Sequence, residues 1–250
     1  MFFHEIVRTV TSFDFYYEVK NFRISKSIIY IFTFLLFVTV ILTAEYTYFI
    51  NKGLTFAVKW SEKKLPVINI NKGIVSADVA QPYIMDIESF VMVIDTTGKI
   101  TSLDDYKQGV LLTKDKLITK KNAQETRTYS LANIEKFTID QPFLKKAKKM
   151  LLWIIAPIML VGMYFYFCFT RLIQIMFFSL IALIISSALK AKLVYKQIFN
   201  ICVYAITPSM LLGLLLAIFP TKIPFFILIY CGVYLIYMIG AINAAKEVTV

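Results

Sequence analysis

The chain has 250 residues, 58% of them hydrophobic, and a formal net charge of +11. That apolar share, with a mean hydropathy of +0.69, is above that of soluble globular domains and makes lipid the solvent for much of the chain. The cations lie beside apolar runs and in one polar stretch, so anionic lipid headgroups are nearer partners than nucleic acid, which is excluded.

Chemistry-bearing residues are sparse. Cys168, Cys202 and Cys231 fall inside apolar runs and His4 is the single histidine, so neither a thiolate or histidine metal set nor a histidine-based triad is expected. No catalytic residue, cofactor site or metal site is predicted, and the chain reads as a non-enzyme.

Residues 1–27 form a cytoplasmic interfacial segment, with Phe2, Phe3, Ile6, Val7 and Val10 at near-helical spacing between Glu5, Arg8 and Asp14. Arg23 and Lys26 precede an apolar run at 28–50, long enough to cross a hydrocarbon layer of ~30 Å. It lacks a small-residue cleavage site and reads as transmembrane helix 1, an uncleaved signal anchor.

Residues 51–149 hold eleven of the sixteen acidic residues and form a soluble, extracytoplasmic domain. A short helix is predicted at 55–64 and strands after Pro66. Segments 67–70 and 74–77 flank Asn71-Lys72-Gly73, and 90–94 is expected to pair with 99–101 across Asp95-Thr96-Thr97-Gly98, giving two hairpins. Further strands are predicted at 110–112, 117–119, 126–129 and 137–139.

Beyond Lys145-Lys146-Ala147-Lys148-Lys149 no acidic residue occurs before Glu247, as expected of a segment in lipid. Residues 150–243 divide into a four-helix transmembrane bundle, with spans at 150–169, 172–189, 199–219 and 224–242 and a tail at 244–250. Arg171, the stretch 190–196 and Pro220-Thr221-Lys222-Ile223-Pro224 separate them. The predicted fold class is a membrane α-helical protein of about five transmembrane helices, with a small, mostly antiparallel β or α+β soluble domain inserted between helices 1 and 2.

Sidedness signals conflict. Arg8, Lys20, Arg23 and Lys26 place the N-terminus in the cytoplasm and the domain outside. With five spans, however, Lys145, Lys146, Lys148 and Lys149, then Lys190, Lys192 and Lys196, also fall outside, against the positive-inside rule. The first span usually dominates and long loops translocate regardless of charge, which favours the domain outside.

Asp95-Thr96-Thr97-Gly98-Lys99-Ile100-Thr101 resembles the aspartyl-phosphate loop of P-type ATPases, usually D-K-T-G-T-L-T. Thr96 stands where that loop has lysine and Lys99 where it has threonine, and aspartate and glycine at these places also suit a tight turn, the reading adopted here. Asp104-Asp105 reads as a solvated loop in preference to half of a calcium site. Lys145, Lys146, Lys148 and Lys149 are candidates for lipid headgroup or interface contact, with a simple helix anchor the other reading. Pro157 and Pro208 are candidate helix kinks. The acid-free spans weaken a cation-coupled transporter reading.

Several segments carry a family resemblance: Lys20-Asn21-Phe22-Arg23, Gln81-Pro82-Tyr83-Ile84, Val93-Ile94-Asp95-Thr96-Thr97-Gly98, Gly109-Val110-Leu111-Leu112-Thr113-Lys114-Asp115, Lys192-Leu193-Val194-Tyr195-Lys196-Gln197 and Tyr204-Ala205-Ile206-Thr207-Pro208. Together they resemble the bacterial membrane family DUF1189, whose function is unknown, over nearly the whole chain. The stretch from Tyr195 to Pro208 is also similar to the Yip1-type membrane domain, which implies five helices and a cytoplasmic N-terminus. The resemblance transfers no catalytic residue. It implies a polytopic protein of the bacterial cytoplasmic (inner) membrane, with the lipid bilayer and a membrane or envelope protein as partners. The expected role is non-catalytic binding, scaffolding or regulation through the extracytoplasmic domain. The alternative is a transporter or channel component, such as an accessory to sugar (maltodextrin) uptake.

Overall fold

The computed structural model describes residues 2–87, 90–219 and 223–246. Residues 220–222 of the separator expected at 220–224, and residues 247–250 of the tail expected at 244–250, lie outside them. The chain divides into two compact units, Met1–Tyr48 with Ile154–Val250, and Phe49–Trp153.

The first unit is helical. Its elements are α1 (Phe2–Thr11), α2 (Phe15–Val19), the start of α3 (Ile24–Lys64), the later part of α4 (Gln141–Ala188), α5 (Tyr195–Ala205), α6 (Thr207–Ile218) and α7 (Phe226–Ala244). Among the described residues four helical stretches are long and apolar enough to cross a membrane: α3, α4, α5 with α6, and α7. Five spans were expected. The difference is at Arg171, where the two spans predicted at 150–169 and 172–189 form one unbroken helix of 48 residues. Arginine is a good helix former, and at 171 it interrupts the apolar run without interrupting the backbone ladder.

The separate helix predicted at 55–64 likewise belongs to α3, which continues for 41 residues. Asn51-Lys52-Gly53 is too weak a breaker, and the helix stops at Lys64, just ahead of Pro66, whose ring disfavours helix in the residue before it. At 1.5 Å per residue α3 and α4 are roughly 60 and 70 Å long, about twice a hydrocarbon layer.

Helix α5 is the centre of the bundle. Residues 200–210 are buried without interruption, the pattern of a helix enclosed on all sides. Tyr204 stacks on Tyr30 with ring centroids 4.0 Å apart and meets the edges of Phe15 and Phe22 at 5.9 Å. Two short helices, α1 and α2, replace the single one expected near the N-terminus. They pack on α5, α6 and α7, with Phe15, Tyr16 and Val19 buried. Helix α4, by contrast, leaves Ile158, Phe165, Phe169, Phe177 and Ile184 exposed, an apolar face that suits lipid.

The N-terminal helices are tied to α7 and the residue that follows it. Lys20 Nζ donates to the Ala245 carbonyl at 2.9 Å, and Tyr237 Oη to the Val10 carbonyl at 3.0 Å. Asn200 ties the middle of α5 to the start of α3, donating to Phe22 O and accepting from Ser27 Oγ, both at 2.8 Å.

The second unit contains two sheets. One has the order β2-β1-β8 and the other β3-β4-β5-β6-β7, with β1 at Ile68–Asn71, β2 at Ile74–Ala77, β3 at Tyr83–Ile87, β4 at Phe90–Ile94, β5 at Gly109–Leu112, β6 at Lys116–Lys120, β7 at Thr126–Ser130 and β8 at Lys136–Ile139. The β1–β2 hairpin forms as predicted, with Lys72 and Gly73 at positive φ, the geometry of a two-residue primed turn. A side chain at 73 would press on the Ala132 backbone.

The hairpin predicted between 90–94 and 99–101 does not form. Strand β4 pairs antiparallel with β3 and parallel with β5, and residues 99–101 are not a strand. A parallel pair needs a crossover, which here is the segment 95–108. It places Leu103, with Ile100 and Tyr106, on Val91, Val93 and Leu111. Ile94 and Leu112, on the opposite face, join Ile68, Ile70 and Val75 from the other sheet. With both faces covered, β4 and β5 read as continuous apolar runs. Strand β7 is exposed throughout.

Candidate functional site

Three of the four predicted lysines, Lys145, Lys148 and Lys149, converge on a cleft of about 530 Å³ inside the second unit. The end of α3 contributes Asn51, Thr55, Val58, Lys59 and Glu62, and the start of α4 contributes Lys145, Lys148, Lys149 and Leu152. Each set recurs at three- and four-residue steps, the spacing that keeps side chains on one helical face. Lys146 falls off that face and is exposed elsewhere.

Four lysines and one carboxylate line the cleft, an excess of three positive charges. Lys145 Nζ lies 3.0 Å from Glu62 Oε1, and Lys148 Nζ donates to Thr55 Oγ1 at 2.7 Å. The ion pair is largely solvated and worth about 0.2–1 kcal/mol. The uncompensated ammonium groups make the cleft a receptor for anionic groups. Lys59 and Glu62 escaped the sequence reading because 55–64 was taken as a separate helix; the signal was their helical register with Asn51 and Thr55.

Of the candidate kinks, Pro157 lies inside α4, while Pro208 occupies the first turn of α6, two residues past the interruption at Ile206. Thr207 and Tyr30 share a hydrogen bond of 2.9 Å between their hydroxyls.

Asp95 is fully buried. Its Oδ1 accepts from Thr97 N at 2.9 Å and Thr97 Oγ1 at 2.5 Å, and its Oδ2 from Ile100 N at 2.5 Å. Burial alone would raise its pKa, but the hydrogen bonds from Thr97, Ile100 and Lys99 outweigh it and hold the carboxyl below the usual carboxylate range. Gly98 has φ +83°. The aspartate thus organises a turn, with its oxygens occupied by the loop's own donors. Gln81 Oε1 accepts from Thr96 N at 2.6 Å and Thr96 Oγ1 at 2.8 Å, joining two of the motifs singled out in the sequence. In a third, Gln197 Oε1 accepts from Val194 N at 3.0 Å and closes the first turn of α5.

The family described as "Protein of unknown function (DUF1189)" matches residues 3–242. The chain belongs to the DUF1189 family. Among curated proteins nothing matches, and among solved structures nothing matches either. The matched stretch of this DUF1189 chain takes in both the helical bundle and the β-rich unit with its basic cleft.

Proposed function

We propose that this DUF1189 protein is a non-catalytic binding protein of the bacterial cytoplasmic membrane, which holds its β-rich unit outside and receives an acidic partner in the α3–α4 cleft. The cleft's excess of three positive charges carries the reading. Lysines are flexible point charges suited to carboxylate- or phosphate-rich surfaces whose geometry is not fixed.

Sidedness is supported by the helix count. With four spans, Lys190, Lys192 and Lys196 fall on the same side as Arg8, Lys20, Arg23 and Lys26. Seven cations then mark one face as cytoplasmic, and the conflict raised by five spans is much reduced. The intervening segment of about a hundred residues is long enough to translocate irrespective of its lysines.

The test is binding of a fluorescent glutamate-rich peptide to the protein in nanodiscs of neutral lipid. Replacing Lys145, Lys148 and Lys149 together with glutamine removes about 1 kcal/mol of attraction per lysine, so affinity should fall on the order of a hundredfold. Glu62→Gln should strengthen binding, and salt should weaken it. Unchanged affinity in the triple variant would contradict the proposal.

A further inference from the structure

A second cavity, of about 230 Å³, lies wholly within the helical unit and is framed by α3, α4, α6 and α7. Val38, Leu42, Met210, Leu214 and Phe226 give it apolar walls. Arg171 and Tyr230 break that pattern. Arg171 lies within the apolar run of α4, level with the end of α6 and the first turns of α7.

Among the described residues Arg171 forms no ion pair. Its Nη1 donates to Gln174 Oε1 at 2.6 Å, but Nε is buried without a partner. Tyr230 is 4% exposed, and its hydroxyl, also buried, makes no full hydrogen bond although it interacts with the Gln174 side chain and with Arg171. The guanidinium lies 5.1 Å from the centre of the Tyr230 ring. An arginine uncompensated in hydrocarbon is costly and marks a binding site by default.

We propose that this cavity takes the phosphate of one phospholipid, held by Arg171 and Tyr230, with the acyl chains left outside in the surrounding lipid. Helical side chains lean toward their own N-terminus, and the guanidinium lies 6.0 Å from the ring of Phe167, one turn back. That direction leads toward the end of the bundle where α6 finishes and α7 begins, as the lining residues Ala217, Phe226 and Ile227 show. The charge therefore points toward the headgroup layer of one leaflet, where a phosphodiester offers the forked acceptor a guanidinium takes best.

The experiment is native mass spectrometry of the delipidated full-length protein in detergent, titrated with phosphatidylglycerol, with diacylglycerol of the same chains, and with inorganic phosphate. Phosphatidylglycerol should bind about tenfold or more tightly than diacylglycerol, and Arg171→Gln should remove that difference while Arg171→Lys keeps part of it. Tyr230→Phe removes a single oxygen and carries the test if Arg171→Gln fails to fold; it should weaken phosphatidylglycerol and leave diacylglycerol unchanged. The glutamine variant at Lys145, Lys148 and Lys149 removes the basic cleft as a competing site for anionic lipid, and the loss on Arg171→Gln should persist in that background, which separates this site from the cleft. Equal binding of the two lipids, or full displacement of phosphatidylglycerol by inorganic phosphate, would overturn the assignment.

Discussion

Replacing Tyr204 with alanine is expected to destabilise the helical unit by about 3–5 kcal/mol, the cost of emptying a fully enclosed aromatic site. The ring is stacked on Tyr30 and edged by Phe15 and Phe22, so its loss uncouples α5 from α2 and α3 together. Tyr204→Phe should cost less than about 1 kcal/mol, because the hydroxyl makes only a 3.4 Å contact with Glu5 and hydrogen bonds between membrane helices average about 0.6 kcal/mol. Thermal unfolding in mild detergent measures both. Equal losses from the two variants would shift the weight from packing to the Glu5 contact and contradict the packing account.

The second large effect is expected at Asp95. Asp95→Ala strands the half-buried Ile100 N–H, at about 1–3 kcal/mol, and removes the acceptor of the exposed Thr97 donors, which water can replace. The crossover that covers Val91, Val93 and Leu111 should loosen with it. Asp95→Asn, which keeps one acceptor oxygen, should cost less. The pH dependence has a definite sign. The folded-state pKa of Asp95 is lowered, so its contribution is fully present above the ordinary aspartate value of about 3.9 and is lost as pH falls through the folded value. Thermal melts from pH 6 downward should show a decline that is shallower in Asp95→Asn. An unaltered acid profile would mean that Asp95 does not titrate with folding.

The strands predicted at 67–70, 74–77, 90–94, 110–112, 117–119, 126–129 and 137–139 lie at or within a few residues of observed ones, because alternation and turn residues are local signals. Strand β3 was missed because Tyr83-Ile84-Met85-Asp86-Ile87 follows a proline and carries an acid. The wrong partner for β4 has a different cause. Asp95 and Gly98 do make a turn, but the Asp95 carboxylate also captures Ile100 N, which leads the chain into a crossover. That contact runs from side chain to backbone within the loop and leaves no periodic trace.

The break expected between two spans at Arg171 does not form. Charge in an apolar run commonly marks a loop between spans, and at Arg171 the helix passes through it. The lysines of the basic cleft were visible as a cluster, whereas their partners on α3 became legible only once α3 was known to be continuous. Arg171 was visible as a charge in an apolar run, but its pairing with Tyr230, 59 residues away in sequence, has no local signature.

The most direct test of the account is paired labelling with a membrane-impermeant maleimide on intact cells, using Asn122→Cys and Lys246→Cys separately in a background with Cys168, Cys202 and Cys231 replaced. A four-span protein with its β-rich unit outside predicts that the Asn122 variant labels without lysis and the Lys246 variant only after it. Labelling of the Lys246 variant on intact cells, or of the Asn122 variant only after lysis, would contradict that topology and remove the basis for an extracytoplasmic partner.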